Sequence, residues 1–328
     1  MPGLFTLPTI RPADEPAGAG VGRLLNRLKR EVAERGVSGL FNLMGLYVQV
    51  CLNFRQHQRW LRVLDQEPGR EAARGYDRLA YRYTLPCLST AFGRKARLEA
   101  LTGHYQWVQH RFRTGFAHWV CSGDAEVWRR DEGGHRMSVH LLGLCARSRH
   151  REGELTLSFR LDGQALCHLS FSFIPRGVLE PQGVPAAPHG HLACVPYIGR
   201  VQGEPSRYEL FRLATQSCQD TSPVDVLMRC LGGMAQALGI DLIAGVDSVH
   251  NISHQSLASR VHGFDYEAFW ARHGAVHVGH GHHAVTWPMA DKPLADIAAK
   301  HRQRTLRKRQ FKQGVAQDVA ERLKPWVL

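Results

Sequence analysis

"EGELTLSFRLDGQALCHLSFSFIP", residues 152–175, decides the fold. Leu155, Leu157, Phe159 and Leu161 recur at every second position up to Asp162-Gly163, and Leu169, Phe171 and Phe173 do the same after it. A period of two on both sides of a dipeptide that tolerates positive φ predicts a β-hairpin. Upstream, "HRMSVHLLGLC" from residue 135 predicts a further strand. Downstream, "HLACVPYIGRVQG" from residue 191 predicts one apolar enough to lie centrally in a sheet.

Outward from the hairpin, residues 222–251 read "SPVDVLMRCLGGMAQALGIDLIAGVDSVHN". Ser222 can cap a helix, Pro223 suits its first position, and Asp225 sits in its first turn. Val224, Leu227, Leu231, Met234 and Leu238 form one apolar stripe ending at Gly239, after which "IDLIAGV" predicts a buried strand. A strand, a crossover helix and a strand make a βαβ unit, so the strands near 194–201 and 240–246 are expected to be parallel neighbours. A short helix follows in "FDYEAFWARHGA" (264–275), carrying Phe264, Tyr266, Phe269 and Trp270 and stopping at Gly274. Then "AVHVGHGHHAVTWP" predicts two last strands around a Gly/His turn.

Towards the N-terminus the pattern turns helical, as in the Leu24, Leu25, Leu28, Val32 stripe. The expected organisation is therefore α+β: a loose Pro/Gly-rich stretch over 1–21, a helical cap over 22–113, a mixed but mainly antiparallel sheet domain over 114–292, and a basic C-terminal helix over 293–328. Residues 300–312, "KHRQRTLRKRQFK", hold seven Lys/Arg in thirteen positions. With 42 Lys+Arg against 29 Asp+Glu the formal charge is +13, a bias towards polyanionic partners. The eight cysteines form no CxxC pair, and several fall inside apolar runs, as reduced core thiols in a reducing cytoplasm would. The longest apolar stretch, "GLFNLMGLYVQVCLN" (39–53), is shorter than the roughly 20 residues of a membrane-spanning helix. The start of the chain lacks the basic and apolar run of an export signal. A cytoplasmic protein, at most peripheral to the inner membrane, is expected.

The element order over about 136–290 resembles the GNAT-type N-acyltransferases. In that superfamily the last short helix often reads F-Y-x-x-x-G-F, and here Phe269, Trp270, Gly274 and Ala275 stand at those positions. The resemblance implies two neighbouring strands that splay so that backbone N–H groups can hold an acyl carbonyl while an amine attacks a thioester. It places the polar complement at the ends of "YIGRVQG" and "IAGVDSVHN": Gln202, Gly203, Asp247, His250 and Asn251, with His250 as general base. The tyrosine that often acts as general acid is replaced by Trp270, and Tyr266, one turn earlier, can point along the same face. The superfamily's glycine-rich pyrophosphate loop is missing, and "TQSCQDTSP" stands before Ser222 instead. The chain also resembles the VirK/YbjX family, a bacterial group linked to virulence and resistance to host peptides. The carrying residues are "HYQ" (104–106), "EGELTLSF" (152–159), "IGRVQG" (198–203), "DYEAFW" (265–270) and the basic "KHRQRTLRKRQ" ending.

For an anionic carrier, the helix N-terminus at Ser222 offers free N–H groups, with Thr215 as a further donor and Arg200 and Arg207 as phosphate partners. His277, His280, His282 and His283 lie within seven residues but lack an accompanying cysteine or carboxylate, so no metal is expected there. Glu152, Glu154 and the His104-Tyr105 pair are lesser candidates whose ordinary role is ion pairing or packing. Three functions remain open. The first is a GNAT-like acyltransferase moving an acyl or aminoacyl group from a thioester (carrier protein or CoA) or aminoacyl-tRNA to an amine. The second is a non-catalytic peripheral factor that binds membrane or nucleic acid, and the third is a histidine-based metal enzyme.

Overall fold

The computed structural model describes residues 44–45, 47–75, 79–143, 151–180, 194–255 and 264–328. The expected loose stretch and the Leu24–Val32 stripe lie outside the described residues. The hairpin is formed by β3 (Leu155–Leu161) and β4 (Gln164–Pro175), turned by Asp162 and Gly163 at φ 48° and 79°. Both faces of the hairpin are buried: Thr156, Ser158, Ser170 and Ser172 are as hidden as the alternating Leu and Phe. Across the ladder the Thr156 and Ser170 hydroxyls share a 2.9 Å hydrogen bond, so this buried pair is matched.

Six more strands complete one sheet: β1 (Glu126–Glu132), β2 (His135–Gly143), β5 (Cys194–Gly203), β6 (Leu242–Val246), β7 (Val276–His277) and β8 (His282–Thr286). The spatial order is β1-β2-β3-β4-β5-β6-β8-β7. Every neighbouring pair is antiparallel except β5 and β6, which run parallel as the βαβ pattern requires. The sheet begins one strand earlier than the sequence reading placed it. Trp128 and Val127 of β1 face the core, and Gly133-Gly134, both at positive φ, turn the chain into β2.

The helices are α1 (Phe54–Leu64), α2 (Gly69–Gly75), α3 (Arg94–Arg111), α4 (Phe116–Ser122), α5 (Tyr208–Ser217), α6 (Pro223–Ala237), α7 (Tyr266–Arg272) and α8 (Ala299–Leu323). The crossover helix α6 is capped as its sequence predicts, with the Ser222 hydroxyl accepting from Asp225 N–H at 3.1 Å. It is buried between the sheet and α8. A Cβ on Gly232 would stand 1.9 Å from the Trp287 ring, and one on Gly233 would stand 2.4 Å from the Ala316 carbonyl. The glycine pair thus sets how closely α6 approaches both neighbours. On α8, Phe311, Val315, Val319 and Leu323 pack inward, while most of the basic first half is exposed. Helix α3 serves two cores: Ala100 and Val108 join the main one, and Leu98, Leu101 and Tyr105 join a smaller one with Trp60, Val63 and Tyr83.

Among the described cysteines, Cys87, Cys167, Cys194, Cys218 and Cys230 are buried free thiols. Burial pushes Cys87 up to about 11 and Cys194 and Cys218 up to about 12, which makes them inert. The five buried free thiols meet the expectation of reduced core cysteines, whereas Cys121 is disulfide-bonded. No helix among the described residues is long and apolar enough to cross a membrane.

Candidate functional site

The parallel pair β5 and β6 meets at two positions only, Tyr197 with Ala244 and Ile198 with Gly245. Beyond them β5 runs on to Gly203 against β4 alone, and β6 ends at Val246. The register of β4 and β5 shifts between Ser170 and Phe171, and such a bulge bends a strand away from its neighbour. Gly199 and Gly245 are the residues that make room. A Cβ on Gly199 would stand 2.0 Å from the Glu152 carbonyl, and one on Gly245 would stand 2.5 Å from the Trp270 ring.

Side chains satisfy the backbone groups that the divergence leaves open. Trp270 Nε1 donates to Val246 O at 2.9 Å, and Asn251 Nδ2 donates to Gly199 O at 2.7 Å. The Tyr266 hydroxyl accepts from Val201 N–H at 2.9 Å and from Asn251 Nδ2 at 3.0 Å. Two donors fill its oxygen, so its own proton is free to be given to a third group. Burial holds the phenol well above its ordinary pKa, so it stays a neutral donor.

Next to this seam is an acid–imidazole pair. Asp247 follows β6 directly, and its Oδ1 accepts from His250 N–H at 2.7 Å and meets His250 Nδ1 at 2.9 Å. The carboxylate fixes the proton on Nδ1, which leaves Nε2 as an acceptor on a side chain 35% exposed. Gly281 is packed under this ring: a Cβ there would be 2.1 Å from Nδ1. Thr90 N–H donates to the His250 carbonyl at 2.9 Å, so the loop before α3 holds the dyad in place. Beside it Tyr197 Oη and His282 Nδ1 lie 2.8 Å apart, and Phe92 stacks on the His282 ring. Burial, reinforced by His250, lowers His282 to about 4, so it is neutral. Two non-glycine residues in the left-handed region, Leu88 (φ 65°) and His280 (φ 46°), flank this assembly, as strained backbone often does at functional sites.

The structure therefore brings together Asp247, His250, Asn251 and Tyr266. Gln202 and Gly203 lie further along β5, opposite His168 and Cys167. Arg200 stands 3.8 Å from the buried Glu152 carboxylate, which also accepts from Ser253. Arg207 donates to Gln164 at 2.6 Å beside the hairpin turn. Thr215 lies inside α5, where a loop was expected, and bonds back to Phe211 O at 2.8 Å. At the start of α6 the buried Asp225 carboxylate occupies the first turn, with Arg272 and His273 each 3.5 Å away. The favourable end of that helix dipole already has a resident anion.

Sequence reasoning did not find Tyr197, Phe92 or the partners of the two glutamates. Glu154 is fully buried, paired with Arg82 at 3.2 Å and accepting from Tyr105 at 2.5 Å. Only the pairing of two carboxylates around Gly153 hinted at this. His104 Nδ1 accepts from Phe173 N–H at 3.1 Å, and burial lowers it to about 3. The histidines do not converge on one point: His282 faces Tyr197, His283 meets Glu267 at 3.0 Å and packs edge-on against His277, and His277 accepts from Gly279 N–H. Among the described residues no three His, Cys, Asp or Glu converge to hold a metal. A cavity of about 1110 Å³ lies between α3 and the starts of β5 and β6, with Arg59, Lys95, Trp107, Arg111 and Arg176 in its wall. It opens at the end of these strands opposite the dyad.

Comparison with known proteins gives a family and no chemistry. "Uncharacterized protein YbjX" of Escherichia coli (strain K12) is 25% identical over 236 residues, 69% of this chain and 66% of that protein. The aligned part is thus just under two thirds of the relative's own length. No solved structure matches. A family model described as "Protein of unknown function (DUF535)" matches residues 40–321, and the chain belongs to that bacterial, VirK/YbjX-like family.

Proposed function

We propose that this protein is an N-acyltransferase with a GNAT-like sheet, moving an acyl or aminoacyl group to an amine. The observation that carries the reading is the divergence of β5 and β6 after two paired positions, with an Asp–His dyad and a proton-bearing tyrosine at the open end. In the reaction the amine nitrogen forms a bond to the acyl carbonyl carbon and the bond to the leaving group breaks: carbon–sulfur in a thioester, carbon–oxygen in the ribose ester of an aminoacyl-tRNA. His250 Nε2 takes the proton that the ammonium form must lose, and Asp247 stabilises the resulting imidazolium. The neutral Tyr266 hydroxyl stabilises the carbonyl oxygen as charge builds there, and the second nitrogen proton passes to the departing thiolate or alkoxide as the tetrahedral intermediate collapses, releasing the amide and the protonated leaving group. Arg200, Gln202 and Gly203 continue the same strand edge and would line the donor's approach.

The donor follows from the α6 N-terminus. Asp225 repels the pyrophosphate that a helix start would otherwise attract, which favours a carrier-protein thioester or aminoacyl-tRNA over free acetyl-CoA. The loop at 89–92 shapes the acceptor side, since it is the part of the helical region that reaches the dyad.

The test is thiol release from acyl-carrier thioesters, and deacylation of aminoacyl-tRNA, with a panel of amines. Turnover by the native protein that falls roughly 100- to 10,000-fold in His250→Ala is expected, because that is the usual contribution of a general base. Turnover unchanged in both His250→Ala and Tyr266→Phe would overturn the assignment, as would the absence of any turnover or co-purifying donor.

A further inference from the structure

The apolar stretch preceding α1 has no role in the reaction above, and its placement is unusual. Residues 44–45 and 47–52 are helical, and Met44, Val48 and Leu52 recur on one side at intervals of four. They are 55%, 56% and 73% exposed, and Phe54, just past the bend at Asn53, is 57% exposed. Soluble surfaces scatter single apolar side chains but seldom align three of them beside a fourth. The same helical path then turns basic. His57, Trp60, Val63 and Leu64 of α1 face the small core, which leaves Arg55, Arg59 and Arg62 on its exposed side. No Asp or Glu occurs anywhere between Gly39 and Leu64.

From this we propose that the exposed side chains of Met44, Val48, Leu52, Arg55 and Arg62 form a docking surface for an anionic lipid bilayer. The Met44, Val48 and Leu52 side chains enter the headgroup boundary, and Arg55 and Arg62 meet the lipid phosphates, while Arg59 is held by Gln106 at 3.1 Å. An exposed apolar stripe continued by arginines and free of carboxylates is the pattern of helices that lie in the interface plane. The apolar stretch is too short to span, so the contact is parallel to the membrane and reversible. A second copy of the chain would satisfy the apolar stripe but would bring three like charges on each side together, which disfavours that occupant.

The experiment is flotation of the full chain with phosphatidylcholine vesicles, with and without phosphatidylglycerol, at low and physiological ionic strength. Binding is expected only where phosphatidylglycerol is present and is expected to weaken with salt. The double variant Val48→Asp/Leu52→Asp is expected to lose at least about 100-fold in partitioning, since two apolar side chains no longer leave water. Replacing Arg55 and Arg62 by Gln is expected to lose about fivefold per charge. These side chains are exposed, so both variants keep the native circular dichroism and melting temperature. Three outcomes overturn the proposal: no flotation with either vesicle, flotation that survives the double variant but is lost when the charges of residues 300–312 are neutralised, or a native dimer that Val48→Asp/Leu52→Asp converts to monomer.

Discussion

Replacing Tyr266 by phenylalanine isolates one oxygen atom in the seam between β5 and β6. The ring remains and continues to pack against Phe264. What disappears is the acceptor for Val201 N–H and for one of the Asn251 Nδ2 protons, at a position 4% exposed. Asn251 keeps its bond to Gly199 O, so its loss is partial, whereas Val201 N–H loses its acceptor outright. A buried donor left without an acceptor costs about 1–3 kcal/mol, which puts the substitution at about 2–4 kcal/mol. For a chain of this size that corresponds to a fall in melting temperature of about 3–6 °C. Urea unfolding followed by circular dichroism measures it, with Tyr208→Phe as the control because Tyr208 is 77% exposed and is expected to change nothing. Hydrogen exchange at Val201 is expected to speed up in parallel. A destabilisation below about 0.5 kcal/mol, the range of ordinary surface substitutions, would show that the hydroxyl does not seal the seam.

Three further outcomes follow from buried groups. Glu154→Gln removes the countercharge of Arg82, both being about 2% exposed, and is expected to cost about 3–5 kcal/mol in urea unfolding. His282 and His104 have folded pKa values of about 4 and about 3, depressed by burial from 6.5. The unfolded chain therefore binds more protons below pH 6.5: stability is complete above that pH and is lost as pH falls towards 4, by about 1.4 kcal/mol per pH unit for each histidine. A melting temperature that is flat between pH 6.5 and 4.5, or the same slope in His282→Asn/His104→Asn, would contradict this. Gly233→Ala drives a methyl into the Ala316 carbonyl and is expected to cost about 2–3 kcal/mol by loosening α6 from α8, with near-native secondary structure by circular dichroism.

How much of this was legible beforehand depends on how local the cause was. The 152–175 hairpin, the Ser222 cap, the α6 stripe and the short helix α7 were readable because period, turn residues and caps are set by neighbours a few positions apart. The parallel neighbours followed from the crossover rule, and His250 with Asp247 sat where a strand end was expected. Strand β1 was missed because "EVWRRDE" carries so many charges that its alternation is faint. Helix α5 was missed because only its last residues, 215–217 in "TQSCQDTSP", were read, as the approach to Ser222. The pairings Tyr197–His282, Glu154–Arg82 and Thr90–His250 join residues 85, 72 and 160 positions apart, and no pattern in a single chain encodes them.

The sequence by itself determined a mixed, mainly antiparallel sheet with one parallel step, a helical N-terminal part and a basic closing helix, because periodicity and caps act within a turn or a strand. Tertiary structure decided that β5 and β6 part after two positions, since that depends on Trp270, Tyr266 and Asn251 arriving from other elements and on glycines that leave space for them. It also decided that Asp225 at the α6 N-terminus is buried beside Arg272 and His273, and that His282 and His283 face different partners. Burial and distance between remote residues set those outcomes, and both appear only once the chain has closed on itself.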